Sequence, residues 1–276
     1  MPKVIALLLL AGILSGCASI PSPPERRAYA DALAAAKGWR AEVISAGQFQ
    51  LLTYAPQPIR EHPELTVYIE GDGFAWVTGS TPSADPTPRE PLALKLALKQ
   101  AAGNAVYLGR PCQYVDAEQT GCAQRYWTNA RFAPEVVLAS SKAVDALKAR
   151  FGATRLTLVG YSGGGAIAAL VAARRNDVER LVTIAGNLDH RAWTQFHHVD
   201  ALAGSLNPAD EAGKLRHIRQ WHFVGSKDRI TPPALLKAYV GLSPPSALSQ
   251  TRILPDFDHQ CCWEKEWPIL WQSTIR

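Results

Sequence analysis

One short stretch in the middle of the chain limits the possible folds more than any other. An apolar run at 156–159 leads directly into Gly-Tyr-Ser-Gly-Gly at 160–164, and small and apolar residues continue to 173. The first run predicts a buried strand and the last a helix, so the residues between them must turn the chain sharply. Side chains two positions before and after the serine would collide in such a turn, and both positions hold Gly. We therefore expect the hydroxyl of Ser162 to project from the turn.

From residue 65 onward, short apolar runs alternate with segments that carry apolar residues at helical spacing. This alternation is typical of a mostly parallel, twisted sheet covered by helices on both faces, an α/β fold class. An Ala-rich helix and a hairpin before residue 65 predict an antiparallel start to the sheet, and a modest lid is expected above it. Strands are predicted at 40–45, 49–54, 65–70, 105–109, 155–159, 178–184, 222–224 and 251–254, and helices at 26–38, 92–102, 133–151, 164–174 and 233–240.

Composition restricts the class of protein further. The chain has 276 residues, of which 47% are hydrophobic and 19% charged, so it can bury a full core and is not disordered over most of its length. Its formal charge of +5 comes from 29 basic and 24 acidic residues that form no block of like charge. We expect one domain over 26–276 and no nucleic-acid partner.

The N-terminus has the pattern of an export signal. Lys3 precedes an apolar run at 4–14, which is too short for a bilayer span of about 20 residues. The run ends in Leu-Ser-Gly-Cys at 14–17, which resembles the bacterial lipobox, whose Cys becomes the lipidated first residue of the mature protein. The resemblance implies a signal peptide at 1–16, and a lipidated Cys17 with a Pro-rich tether over 17–25.

This N-terminal pattern also implies a location. The resemblance to the lipobox indicates a lipid anchor in the bacterial cell envelope, and Ala18 after the cysteine favours the outer membrane. Ordinary cleavage near Ala18, with an incidental cysteine, is the alternative. No later segment reaches 18 apolar residues, so contact with a membrane is expected through the lipid.

Two residues downstream can complete a nucleophilic site around the serine. A serine hydroxyl needs a base to take its proton and a carboxylate to orient that base. Asp228 follows the strand predicted at 222–224, and His259 lies in the loop after the strand at 251–254. The turn at 160–164 and the chain order Ser162, Asp228, His259 resemble the α/β-hydrolase superfamily over about residues 40–276. The resemblance implies an α/β-hydrolase fold with Ser162 as nucleophile, His259 as base and Asp228 as orienting acid, and it implies no cofactor.

Other side chains remain candidates for these roles. Asp256 and Asp258 neighbour His259 and could replace Asp228 as the acid. Five histidines that precede the acid could compete as the base: His190, His197, His198, His217 and His222. A metal is not expected, because the zinc-capable residues lack the short ligand spacing of structural sites: His197, His198, Cys261 and Cys262.

The same resemblance implies an oxyanion hole, in which two backbone amides bind the oxygen of a tetrahedral intermediate. One amide is expected from Gly163. The other is expected from Asp72, or from Gly73, in the loop after the strand at 65–70. Many members of the superfamily have His-Gly where this chain has Glu70-Gly71. A plain Gly-rich turn is the alternative interpretation.

Export would place the four remaining cysteines in an oxidising compartment. The bridges Cys112–Cys122 and Cys261–Cys262 are open, as are crossed pairings between the two groups. A bridge at 261–262 would stiffen the loop of His259, and its reduction is expected to lower activity or thermal stability. Several aromatic side chains fall in irregular stretches, where they can line an acyl pocket or pack in the core: Trp76, Tyr114, Tyr126, Trp127, Trp193 and Phe196.

These expectations combine into a functional hypothesis. The chain is expected to hydrolyse carboxylic esters or thioesters of small molecules through an acyl-enzyme on Ser162. A catalytically silent surface lipoprotein and a serine peptidase of the same fold are the alternatives. Membership of a fold does not choose among them.

Overall fold

The computed structural model describes residues 20–116, 121–242 and 246–274. The predicted signal peptide and Cys17 lie outside these residues. The helices are α1 Pro23–Ala35, α2 Leu92–Leu98, α3 Pro134–Arg150, α4 Gly163–Ala172, α5 His190–His197, α6 Pro208–Glu211, α7 Pro233–Val240 and α8 Trp263–Thr274. The strands are β1 Trp39–Ala46, β2 Phe49–Pro56, β3 Glu64–Ile69, β4 Asn104–Leu108, β5 Arg155–Tyr161, β6 Val178–Ile184, β7 Arg219–Gly225 and β8 Ser249–Leu254.

The strands form one sheet in the order β1-β2-β4-β3-β5-β6-β7-β8. The pairs β1–β2 and β2–β4 are antiparallel, and every later pair is parallel. The predicted mostly parallel sheet with an antiparallel start is thereby confirmed. Because the parallel strands point the same way, their carboxyl ends meet at one edge of the sheet, where ligands bind in open α/β folds.

Two apolar cores lie on the two faces of the sheet because successive side chains of a strand point to opposite sides. In β3, Val67 and Ile69 pack in the core formed with α3 and α4, whereas Tyr68 packs in the core formed with α1, α2 and α8. Helices therefore cover both faces, as predicted. The small residues of α4 allow it to be buried along its whole length. The structure contains no helix, among the residues it describes, with the length and apolar character needed to cross a membrane.

Some elements differ from the sequence prediction. Helix α1 begins at Pro23, so the expected tether ends earlier than residue 25. Ser22 and Glu25 form a capping box there, which satisfies amides of the first turn. Helix α2 ends at Leu98 rather than at 102. Helix α5 has no counterpart in the sequence prediction, and the Asp189 side chain caps its first amides.

The last helix was not predicted at all. Helix α8 contains Pro268, a residue that normally ends or kinks a helix. The fully buried side chains of Trp263 and Trp267 pack it against the sheet. Tertiary packing thus stabilises a helix whose local sequence argues against one.

Candidate active site

Ser162 occupies a strained position between β5 and α4. Its backbone angles are φ 53° and ψ −121°, a positive φ that residues other than Gly seldom adopt. Its amide donates to the carbonyl of Ile184 (2.9 Å), and its carbonyl accepts from the amides of Gly165 (3.0 Å) and Asn187 (3.1 Å). These bonds hold the residue at the bend, with its side chain half-buried.

The glycines around Ser162 are needed for steric reasons. A Cβ on Gly160 would collide with the backbone of Gly164, and one on Gly164 would collide with the carbonyl oxygens of Ile69 and Glu70. The steric prediction for both positions is confirmed. The second collision also shows how closely α4 approaches the end of β3.

His259 reaches the serine from the loop between β8 and α8. Its Nε2 lies 3.0 Å from the Ser162 hydroxyl oxygen. The ring packs on Tyr161 with centroids 5.3 Å apart, and 15% of the side chain is exposed. The indole of Trp263 donates to the carbonyls of Asp258 (3.0 Å) and His259 (3.2 Å), which ties the loop to the start of α8.

Asp228 orients the imidazole from the loop after β7. Its Oδ2 lies 2.9 Å from His259 Nδ1, and its side chain is fully buried. Oδ1 accepts from the amides of Ile230 and Thr231, each at 2.8 Å. Burial raises the pKa of Asp228, but the hydrogen bond to His259 and the two amides outweigh burial and leave the pKa below its usual value. The carboxylate is therefore charged at neutral pH, and it can stabilise a protonated imidazole.

The alternative acids are engaged elsewhere. Asp256 forms an exposed ion pair with Lys227 (2.7 Å). Asp258 accepts the amides of Gln260 (2.8 Å) and Cys261 (2.6 Å) and so shapes the loop rather than orienting the ring. The structure thus brings Asp228, and neither of these aspartates, to His259 Nδ1.

The alternative bases are also placed elsewhere. His222 is buried within β7, where its ring contacts the Thr183 hydroxyl (2.8 Å) and burial lowers its pKa to about 4. His197 bonds the carbonyl of Ile230 (2.8 Å), and His190 is buried at the start of α5. The two remaining candidates are exposed: His198 and His217.

The loop that follows β3 lies beside the start of α4. Gly73 has φ 68°, and a Cβ on it would lie 2.7 Å from Gln113 Nε2. A Cβ on Gly163 would lie 2.8 Å from Asp72 Oδ2 and closer still to Oδ1. The side chain of Asp72 therefore lies against Gly163, the residue that follows Ser162.

Two arginines that the sequence analysis did not single out bind the side chain of Asp72 in this loop. Arg131 Nη1 lies 2.7 Å from Asp72 Oδ2, and Arg110 Nη1 lies 3.3 Å from Oδ1. Both arginines are nearly completely buried. They come from a stretch without predicted regular structure, and no short-range pattern relates either one to Asp72.

A cleft of about 490 Å³ opens next to the His259 loop, between α2 and the start of α8. Tyr161, whose ring packs on His259, forms one wall, so the cleft approaches His259. The rest of the lining combines apolar, disulfide-bonded and charged or polar residues: Leu92, Cys261, Cys262, Glu90, Lys95, Lys99, Gln260, Glu264 and Lys265.

The aromatic side chains that the sequence offered as pocket residues do not line this cleft. Three are buried, namely Tyr114, Tyr126 and Trp127, and two are exposed, namely Trp76 and Phe196. Trp193 donates to the carbonyl of Ile230.

The cysteines are paired in sequence order. Disulfides join Cys112 to Cys122 and Cys261 to Cys262, and the peptide bond of the second pair is cis. Of the pairings left open by the sequence, the structure contains the two that are not crossed. Across the described ranges, no group of three or more potential metal-ligating side chains is found.

Comparison with known proteins identifies the architecture. No protein-family model and no curated protein matches the chain. Among solved structures, an α/β serine hydrolase homologue from Coxiella burnetii matches with a TM-score of 0.57 and 15% identity, over 84% of this chain and 94% of that one. Est1E from Butyrivibrio proteoclasticus matches with a TM-score of 0.59 and 13% identity, over 85% of this chain and 97% of that one.

A third solved structure, from Xanthomonas campestris, is described as an α/β serine hydrolase without a lid. It matches with a TM-score of 0.54 and 12% identity, over 85% of this chain and 94% of that one. Together with the sheet order and the turn at Ser162, these matches show that the chain has the α/β-hydrolase fold.

Proposed function

We propose that this protein is a serine hydrolase that cleaves carboxylic esters or thioesters through an acyl-enzyme on Ser162. The observation that carries the proposal is the unbroken series of contacts from the Ser162 hydroxyl to His259 (3.0 Å) and from His259 to Asp228 (2.9 Å). This series allows the proton of the serine to leave as its oxygen attacks. One structural neighbour, from Pyrococcus furiosus, is named an esterase, which agrees with this class of reaction.

The reaction proceeds in two halves. The Ser162 oxygen attacks the carbonyl carbon of the substrate while its proton passes to His259 Nε2, and Asp228 stabilises the resulting imidazolium. The tetrahedral intermediate places its oxyanion towards the amides of Gly163 and of Asp72 or Gly73. The intermediate then collapses, and the leaving alcohol or thiol takes the proton from His259.

The second half repeats the chemistry with water. His259 removes a proton from a water molecule, which attacks the acyl carbon bound to Ser162. Collapse of the second intermediate returns the proton to Ser162 and releases the carboxylic acid. His259 accepts and returns the proton in each half of the reaction, so the atoms and charges balance without a further reagent.

The cleft beside Tyr161 is the proposed site for the group attached to the ester. Its volume of about 490 Å³ is in the range of small-molecule pockets. Because the rim carries lysines and glutamates, we assign the polar part of the substrate to the rim and its apolar part to Leu92 and the disulfide.

We also propose that the mature protein is anchored by lipid on Cys17 to the bacterial cell envelope, at the outer membrane. The lipobox-like residues 14–17 support this proposal. Helix α1 begins at Pro23, so only a short segment would separate the lipid from the folded domain. The hydrolase would then act close to a membrane surface.

The test compares the full chain in detergent with its Ser162→Ala form on a graded series of nitrophenyl esters. We expect the substitution to lower kcat/KM by about 10³-fold or more, because the nucleophile is lost. A matched control is Ser140→Ala, which removes a buried serine hydroxyl that donates to the carbonyl of Val136 within α3.

Equal hydrolysis by wild type and Ser162→Ala would overturn the proposal. Failure of wild type to react with a fluorophosphonate would favour a silent protein, and preferential cleavage of peptides would favour a peptidase.

A further inference from the structure

The side chain of Asp72 sits at an unusual place for a carboxylate. It packs over Gly163, the first residue of α4, and a Cβ on that glycine would lie 2.8 Å from Asp72 Oδ2. In the proposed reaction, negative charge develops close to the amide of Gly163. An uncompensated carboxylate there would oppose the reaction by repulsion between like charges.

Two guanidinium groups compensate this charge. Arg131 and Arg110 contact different oxygens of the carboxylate, at 2.7 Å and 3.3 Å. Burial raises the pKa of Asp72, but the two arginines outweigh burial and hold the pKa below its usual value. The three side chains together carry one net positive charge, so the cluster does not repel an oxyanion.

The arginines are themselves fixed in place. Arg131 Nε donates to the carbonyl of Thr128 (2.7 Å), and an Arg110 guanidinium nitrogen donates to the carbonyl of Arg131. The amide of Arg110 donates to Gln113 Oε1 (3.0 Å), and Gln113 Nε2 donates to the carbonyl of Gly71 (2.9 Å). The loop after β3 is thus held at two adjacent residues. Gln113 binds the backbone carbonyl of Gly71, and the two arginines bind the side chain of Asp72.

A disulfide braces the segments that supply these groups. Cys112 lies between Arg110 and Gln113, and its partner Cys122 belongs to the segment that leads to Arg131. The bridge therefore joins the two parts of the chain that supply the arginines bound to Asp72.

We propose that Asp72 is a positioning residue for the oxyanion hole. Its carboxylate, clamped by Arg110 and Arg131, fixes the amides of residues 72 and 73 relative to the amide of Gly163. This inference rests on the proposed function and deepens it, because it assigns to a side chain the task of holding the backbone donors. Each arginine makes one contact with a different oxygen of the carboxylate, and two such charge-assisted contacts together restrict the carboxylate in direction as well as distance.

The test measures catalysis per active site, using the full chain and titration of reactive serines with a fluorophosphonate. We expect Asp72→Asn and Arg131→Met to lower kcat per titrated site by about tenfold or more with little change in KM, because a donor is displaced. Arg131→Lys keeps the charge and is expected to recover part of the loss. Asp72→Asn keeps the size of the side chain, so it remains informative if a more drastic variant does not fold.

The matched control is Asp177→Asn. Asp177 also binds two cations, Arg175 (2.8 Å) and Lys148 (2.6 Å), but it precedes β6 and so lies at the opposite edge of the sheet from Ser162. A merely structural effect would reduce the number of titrated sites and leave kcat per site unchanged in both variants. Unchanged kcat per site in Asp72→Asn, or an equal fall in Asp177→Asn, would overturn the proposal.

A second readout separates this inference from the proposed function. Hydrogen exchange of the backbone over residues 70–75 should become faster in Asp72→Asn and not in Asp177→Asn. Unchanged exchange would overturn the clamp whether or not the protein hydrolyses esters. Wild type without activity on esters would instead overturn the proposed function, while the exchange measurement would still decide the clamp.

Discussion

Glu70 occupies the position at which many α/β-hydrolases have a histidine, and its surroundings explain how a carboxyl group fits there. The side chain is 1% exposed, and Oε1 accepts the amides of Gly71 (2.9 Å) and Ala93 (3.4 Å). Burial raises its pKa from 4.5 to about 7, against the opposing effect of the amides. Glu70 thus supports the loop of Asp72 by accepting the amide of Gly71, while burial disfavours its ionised form.

This environment predicts a pH dependence of stability. The folded-state pKa lies above the unfolded value, so the stability linked to Glu70 is fully present below about pH 4.5 and is lost as pH rises through about 7. Between pH 5 and pH 8, we expect the free energy of unfolding of wild type to fall by about 2 to 3 kcal/mol relative to Glu70→Gln. Urea unfolding at both pH values measures the difference. The exposed control Glu61→Gln should follow wild type, and parallel curves for wild type and Glu70→Gln would contradict the prediction.

At the scale of elements, the loop between β8 and α8 decides where His259 lies. The amide of Lys227 donates to the carbonyl of Phe257 (2.8 Å), and a Cβ on Gly225 would collide with that carbonyl. Closer to α8, the amide of Asp258 donates to the carbonyl of Cys261 (3.0 Å), the first member of the vicinal disulfide. The loop is therefore held against β7 at one end and by the disulfide at the other.

We expect the double variant Cys261→Ser, Cys262→Ser to lose several-fold in kcat/KM for esters. The bridge restrains the carbonyl of Cys261, which accepts the amide of Asp258 and so closes the His259 loop. Both cysteines also line the cleft. Rates per titrated active site, across esters of increasing length, measure the effect. Reduction of wild type should produce a similar loss, and any further effect of reductant on the double variant reports on Cys112–Cys122. Wild-type rates in the double variant at every ester length would refute this role of the bridge.

At the scale of the whole molecule, the parallel sheet gathers the site. Ser162 follows β5, Asp228 follows β7 and His259 follows β8, and these strands all end at the same edge. Helix α1 packs on α2 and on β1 rather than beside these three residues. An anchor upstream of α1 is thus compatible with the site.

The proposed anchor predicts how the full chain behaves in cells. Several acyl chains on Cys17, each buried methylene contributing about 0.8 kcal/mol, should keep the protein in the membrane fraction. Cys17→Ser should release it or leave it unprocessed. The mass of the mature N-terminal peptide and detergent phase separation measure both effects, with Ser15→Ala as a nearby control that retains the cysteine. A mature N-terminus beyond residue 17, or unchanged partitioning of Cys17→Ser, would contradict the anchor.

Local steric and periodic signals made much of this protein predictable. The turn at Ser162 needs glycines on both sides, a requirement that the neighbouring residues alone impose. The strands were predicted because buried parallel strands are continuous apolar runs, and β6 and α7 begin and end at the predicted residues. The resemblance of the chain order to that of the α/β-hydrolases then indicated Asp228 and His259, which both follow predicted strands.

Tertiary structure alone decided the rest. Helix α8 forms despite Pro268 because buried tryptophans pack it on the sheet, and the uncrossed disulfides follow from which loops lie together. Arg110 and Arg131 meet Asp72 across long chain separations that no local pattern records. The physical reason is one of range: turns and amphipathic periods depend on adjacent residues, whereas a buried ion cluster depends on how three separate loops pack over one edge of a sheet.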